Sequence, residues 1–250
     1  MEHAIETREL RRVFGELAAV DGVDLTVEVG TFFGFLGPNG AGKSTTIKVL
    51  TGLLRKTSGS AKVLGYDIER EAVDVKRRIG VVPEELALFD RLTGPEYLTF
   101  VGRMYGVDKP ALHSRVGELL ELMDLQSDPK KLIVDYSHGM RKKLALSAAL
   151  IHEPRLLFLD EPFEGIDAIA SRQIKDLLRA LVARGVTVFL TSHILEIVEK
   201  LCTDVAIIHR GRLVAEGAMD GFREGRGLEQ TFLDLVGDKD APKATLSWLE

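Results

Sequence analysis

Cysteine is nearly absent. Cys202 is the single one among 250 residues, so an intrachain disulfide is excluded and the chain fits a reducing compartment. Long hydrophobic runs are missing too. The longest apolar stretches, such as LLFL at 156–159, fall far short of the roughly 20 residues a bilayer-spanning helix needs. The opening MEHAIETREL has no basic segment leading into an apolar one, so no signal peptide is expected. Positive charge is not in excess either. The formal net charge is −5, which offers no global basic field to a nucleic acid, and no nucleic-acid partner is expected. Two short basic runs, at 130–131 and 141–143, read as solvated helix faces. Internal repeats and low-complexity segments are lacking.

What is present is an ordinary globular composition, 45% hydrophobic and 28% charged, in a chain long enough to bury a sizeable core. AIETRELRRVF and VDLTVEV alternate apolar and polar residues, as half-buried antiparallel strands do, with a turn signal at Val20, Asp21 and Gly22 between them. TFFGFLGPNG is a continuous apolar run ending in glycine and proline, the pattern of a strand buried on both faces. TTIKVLTGLL has helical spacing, residues 72–79 read as a helix, and GVVP at 80–83 reads as a short buried strand stopped by proline. From about 84 to 150 apolar residues recur at three and four, which predicts a mostly helical block. RLLFLDEP returns to a buried strand, SRQIKDLLRALVARG to a helix closed by Gly185, and VTVFLTSH to another buried strand. ILEIVEKLC is a helix and DVAIIHRGRLVAEG a hairpin around Arg210 and Gly211. This alternation implies an α/β fold: a largely parallel sheet with helices on both faces, an attached N-terminal antiparallel sheet, and the helical block inserted between the strands near 82 and 158. The tail from 219 carries mixed signals.

GPNGAGKST at 37–45 fits G-x-x-x-x-G-K-[ST]. Gly37, Gly40 and Gly42 allow a close backbone approach that a Cβ forbids. With Pro38, Asn39 and Ala41 between them, the freed N–H groups and the following helix N-terminus form an anion nest. Lys43 can neutralise β- and γ-phosphate charge, and the Ser44 hydroxyl, beside Thr45, can ligate Mg²⁺. Such a site needs a second Mg²⁺ anchor, and LLFLDE supplies Asp160 at the end of a buried strand. Glu161, one residue on, can polarise an attacking water. His193 ends another buried strand, where ligands bind in open α/β sheets, although a lone histidine is more often structural.

The order of phosphate loop, PEE, SHGM, LDEP, a GID turn and SH resembles the nucleotide-binding subunit of an ABC transporter, and most of all the ATPases of bacterial ABC-2-type exporters. The resemblance covers roughly residues 3–218, with a helical subdomain at about 84–150 and a C-terminal extension at 219–250. It implies a P-loop NTPase with a RecA-like core that hydrolyses ATP with Mg²⁺, works as a dimer (a homodimer by expectation) and serves a separate polytopic membrane subunit. It also implies a cytoplasmic position, peripheral on the inner face of the membrane.

Site roles follow from the same resemblance. Phe14 takes the place of an aromatic that stacks on adenine, or is a strand core residue. Glu84 falls where the family usually has the Q-loop glutamine, a contact for Mg²⁺ or the attacking water. Asp160 and Glu161 take the Walker B aspartate and catalytic glutamate positions, Gly165 to Asp167 the D-loop, and His193 the switch histidine. YSHGM at 136–140 aligns with the signature loop that binds the γ-phosphate held by the other subunit, through the Ser137 hydroxyl, the Gly139 backbone and the positive end of the next helix. Ser137 is also a good N-cap, which does not exclude that role. Glu84 and His138 depart from the family pattern: the first adds negative charge near the γ-phosphate and raises reliance on Mg²⁺, and the second is bulkier than glycine. Apolar residues at 86–93 are candidates for membrane-subunit contact or for core. Two other classes compete: a soluble ATPase of this type regulating a non-transport assembly, and a P-loop kinase or GTPase, which lacks the signature and His193.

Overall fold

A computed structural model describes residues 3–237. Two sheets organise the chain. The first is antiparallel and begins with β1 (His3–Phe14) and β2 (Leu17–Glu28), joined by the tight loop Gly15–Glu16 with Gly15 at φ +56°. β4 (Ser58–Val63) and β5 (Tyr66–Asp67) complete it in the order β2-β1-β4-β5. The expected turn at Val20, Asp21 and Gly22 lies instead inside β2. There the register shifts between the pairs Leu10–Val23 and Arg11–Asp21, leaving Gly22 without a partner at φ +68°, and it shifts again between Thr7–Leu25 and Leu10–Val23, where Glu9 sits at φ +46°. The Asp-Gly pair therefore serves a bulge that bends a long strand, a use of the left-handed conformation that local sequence does not separate from a turn.

The second sheet holds β3 (Phe32–Leu36), β6 (Ile79–Val82), β7 (Leu156–Asp160), β8 (Thr187–Ser192), β9 (Asp204–His209) and β10 (Arg212–Ala218), in the order β10-β9-β3-β8-β7-β6. All neighbours are parallel except the β9–β10 hairpin, which turns at Arg210 and Gly211 as expected. Side-chain alternation divides its two buried faces. Phe33, Phe35, Phe158 and Phe189 point into a core closed by the antiparallel sheet and α1 (Lys43–Leu50). Phe189 stacks on Phe33 with ring centroids 5.6 Å apart, and truncating such a buried ring costs about 3–5 kcal/mol. Phe32, Leu157, Leu159, Val188 and Leu190 point the other way, into a core shared with the helical block.

After α2 (Ala72–Arg78), where a helix was expected, that block is α3 (Gly94–Met104), α4 (Lys109–Leu122), a short 3₁₀ turn (Ile133–Asp135) and α5 (His138–Leu150), with coil between them. α3 starts at a capping box: Thr93 and Glu96 satisfy each other's backbone N–H groups. α5 is enclosed over residues 142–149, so the basic run at 141–143 is not a solvated face. Lys142 and Lys143 are buried and Arg141 pairs with Asp90 at 2.9 Å, because helices and β6 pack on every side of α5. Leu86, Leu88 and Leu92 lean on the core, as the core reading of 86–93 expects, while Phe89 is exposed.

α6 (Ala168–Ala183) begins three residues before the predicted SRQIK start, because Asp167 caps it by accepting from the N–H groups of Ile169 and Ala170, both at 2.9 Å. It ends as predicted at Gly185, φ +89°. α7 (Leu195–Leu201) follows His193, and α8 (Met219–Glu224) and α9 (Leu228–Val236) pack around it, with Met219 and Leu228 in the shared core. The rest of the proposed C-terminal extension, 238–250, lies outside the described residues. Among the described residues no helix is long and apolar enough to cross a membrane.

Candidate nucleotide site

The loop between β3 and α1 is shaped by what lies behind it. Gly42 adopts φ +111°, and a Cβ there would strike the Ala19 carbonyl; one on Gly37 would strike the Ile208 carbonyl. The loop is thus pressed against β2 and β9, and only glycine fits at both positions. It lines a cavity of about 380 Å³ with Phe14, Leu17, Ala19, Glu84 and Glu161. Pro38 to Thr45 all face it, while Gly37, the first residue of the predicted loop, does not line it and packs against Ile208 behind. Phe14 is not a strand core residue: it is 42% exposed, and the Arg12 guanidinium sits 4.2 Å from its ring centre. Leu17 and Ala19, next across the hairpin, extend that apolar edge, and motif spacing does not single them out.

Lys43 is buried and donates from Nζ to the carbonyls of Gly37 (2.7 Å) and Pro38 (3.3 Å). The same Nζ lies 3.6 Å from Glu161 Oε1. Glu161 Oε2 accepts from the His193 backbone N–H at 3.3 Å and is 3.0 Å from its ring Nδ1. An ionised carboxylate only accepts, so Nδ1 is the proton-bearing nitrogen in this pairing. β7 and β8 are adjacent, with Asp160 opposite Thr191, and this places both carboxylates and His193 at one sheet end.

Thr191 and Lys142, both outside the sequence motifs, hold this corner. The Thr191 hydroxyl donates to Asp160 Oδ1 at 2.5 Å and accepts from the Glu161 N–H at 3.1 Å. Lys142 Nζ donates to the Glu161 carbonyl at 2.9 Å. Burial pushes the Lys142 ammonium below the ordinary lysine range, and the carboxylates of Glu164, Asp160, Glu84 and Glu161 pull it back. Glu161 itself sits at φ +48°, a left-handed conformation that costs a residue other than glycine about 1–3 kcal/mol and that its surroundings must maintain.

Ser44, Glu84 and Asp160 offer oxygens of the kind a divalent cation takes. Ser44 Oγ lies 3.4 Å from Glu84 Oε2, and Asp160 adds a further oxygen at the sheet end. Hard cations of the Mg²⁺ type take a few protein oxygens and complete their shell with phosphate and water.

Ser137 and Gly139 do not line this cavity. Ser137 caps α5 by accepting from the Met140 N–H at 3.2 Å. Gly139 faces Asp167 and Ala170, and His138 packs over Gly165, whose absent side chain leaves room for the imidazole. The segment 137–139 and the GID turn thus form a second surface, apart from the cavity lined by the phosphate loop of the same chain.

A parallel sheet, a phosphate loop that follows β3 and opens a helix, and carboxylates at the end of β7, with β8 between the two strands, define a P-loop nucleotide-binding ATPase. The sequence matches the ABC transporter family over residues 20–164. It is 42% identical to the daunorubicin/doxorubicin resistance ATP-binding protein DrrA of Streptomyces peucetius, over 90% of this chain and 68% of that one. It is 37% identical to the bacitracin transport ATP-binding protein BcrA of Bacillus licheniformis, over 90% of this chain and 72% of that one. The solved ATP-binding subunit of an ABC transporter superposes with a TM-score of 0.87 at 29% identity, covering 93% of this chain and 99% of that one. The chain belongs to the ABC transporter family, as an ATP-binding subunit.

Proposed function

We propose that this chain hydrolyses ATP as one half of a dimer and drives export through a separate membrane-spanning subunit that holds it at the inner face of the membrane. The observation that carries this reading is the contiguous series Lys43–Glu161–His193, whose first two members line the phosphate-loop cavity. Phe14 offers its open edge to adenine, the loop from Gly37 to Thr45 wraps the phosphates, and Lys43 turns to the γ-phosphate. Glu161 accepts the proton of the attacking water, and His193 orients that carboxylate and reaches the γ-phosphate. Ser44, Asp160 and Glu84 would hold Mg²⁺, whose charge offsets that of the β- and γ-phosphates.

The separation of Ser137 and Gly139 from the cavity supports the dimer: a surface with an N-terminal helix end aimed outward closes on nucleotide held by a second copy. The relatives' names support export, since they speak of drug resistance and of antibiotic transport. A regulator of a non-transport assembly is not favoured by them. Docking of the membrane subunit is supported by a small apolar cavity of about 200 Å³ beside Glu84, lined by Leu86, Leu88, Tyr97, Val101 and Tyr105.

The test is Glu161→Gln. Hydrolysis should fall by about 10²-fold or more while ATP binding persists and an ATP-dependent dimer accumulates in light scattering. Turnover at the parent rate in that variant sinks the assignment of the base.

A further inference from the structure

We propose that Lys142 is a positioning residue for the ATPase reaction: it holds the Glu161 peptide in place and ties the position of that carboxylate to the helix bearing Ser137. This rests on the reading of Glu161 given above. Neither polar backbone group of Glu161 is taken by a strand partner: the N–H donates to the Thr191 hydroxyl from β8, and the carbonyl accepts from Lys142 of α5 at 2.9 Å and, at the longer 3.3 Å, from the Glu164 N–H. The residue held in this way has a left-handed backbone, which relaxes unless something restrains it.

Lys142 is only 2% exposed. A lysine is seldom so buried unless paired, and its stem could be replaced by an apolar chain of similar length with little loss of packing. The ammonium is what needs explaining, and its hydrogen bond ends on Glu161. α5 connects this contact to the second surface. Ser137 caps the helix and Lys142 lies five residues further on, about 7.5 Å along the axis. A shift of α5 when Ser137 engages the nucleotide of a second copy therefore moves the group that holds the Glu161 carbonyl. Engagement at one site is felt by the carboxylate of the other.

Steady-state kinetics on Lys142→Met, Lys142→Gln and Glu161→Gln, with fluorescent-nucleotide binding and thermal melting, test this. Lys142→Met keeps the stem and removes the donor. Its kcat should fall by about tenfold to a hundredfold, with the nucleotide Kd within about twofold of the parent and the melting temperature not lowered. Lys142→Gln, whose amide can still donate to the carbonyl, should recover a clear part of the loss. Parent-like kcat in Lys142→Met beside an inactive Glu161→Gln overturns the proposal alone. Equal loss of kcat, binding and melting temperature in both lysine variants also overturns it, in favour of a purely structural lysine. Turnover persisting in Glu161→Gln overturns the catalytic reading underneath.

Discussion

Glu161 Oε2 meets His193 twice, through the ring Nδ1 at 3.0 Å and through the backbone N–H at 3.3 Å. The two contacts differ in what a mutation removes. His193→Ala deletes the imidazole and keeps the peptide N–H, so Glu161 Oε2 retains one of its two contacts with residue 193. We expect kcat to fall by about 10²-fold, the lower end for loss of an acid–base or orienting group, with nearly unchanged nucleotide affinity. Stopped-flow phosphate release checks this, and turnover near the parent rate would mean that the ring has no part in the chemistry.

Ser137 lies at the outward end of α5 and outside the phosphate-loop cavity. Ser137→Arg should therefore leave ATP binding to the monomer intact. It should abolish the ATP-dependent dimer, because a long cation replaces a small donor where two copies meet. Light scattering in the Glu161→Gln background reads this directly, and a dimer that still forms counts against the role of this loop.

Glu84 places a carboxylate 3.4 Å from the Ser44 hydroxyl, on the wall that the γ-phosphate would face. Two anions there repel unless a cation lies between them. Glu84→Gln should tighten ATP binding in EDTA more than in Mg²⁺, narrowing the ratio of the two Kd values by about threefold to tenfold. That range suits a partly exposed charge pair of about 1 kcal/mol. An unchanged ratio would place Glu84 outside the influence of the phosphates.

Asp167 caps α6, and its carboxyl is held below the ordinary 3.8 first by the Ala170 backbone N–H and then, against some desolvation, by that of Ile169. Because the folded value is the lower one, the stabilisation is complete above about pH 4 and is lost as the pH falls through the folded-state value. Asp167→Asn keeps a capping oxygen without the titration. Its melting temperature should therefore fall less steeply than the parent's between pH 5 and 3, the range that brackets the ordinary carboxyl value. Parallel curves would show that the cap's charge is irrelevant.

Much of the nucleotide site was legible because its chemistry is local. The phosphate loop needs glycines, a lysine and a hydroxyl within nine consecutive residues, and LLFLDE and VTVFLTSH announce buried strands ending in chemistry. Period and composition suffice for such features. Asp167 shows the limit of periodicity: α6 starts where a cap is available, three residues before the apolar pattern declares it. The Asp21-Gly22 pair shows another, since turn and bulge need the same backbone conformation and only the partner strand's register tells them apart.

Short-range pattern and backbone sterics suffice for the α/β class, the order of its elements and the residues of the phosphate loop. Long-range packing was needed to bring Lys142 and Thr191 onto the Glu161 peptide, to leave Phe14 open at the cavity edge, and to keep Ser137 out of the cavity of its own nucleotide loop. A basic run on a helix looks the same in sequence whether water or protein surrounds it. Burial is a property of what packs against the helix, and here β6 and the neighbouring helices close over α5 and bring a lysine distant in sequence onto the Glu161 carbonyl.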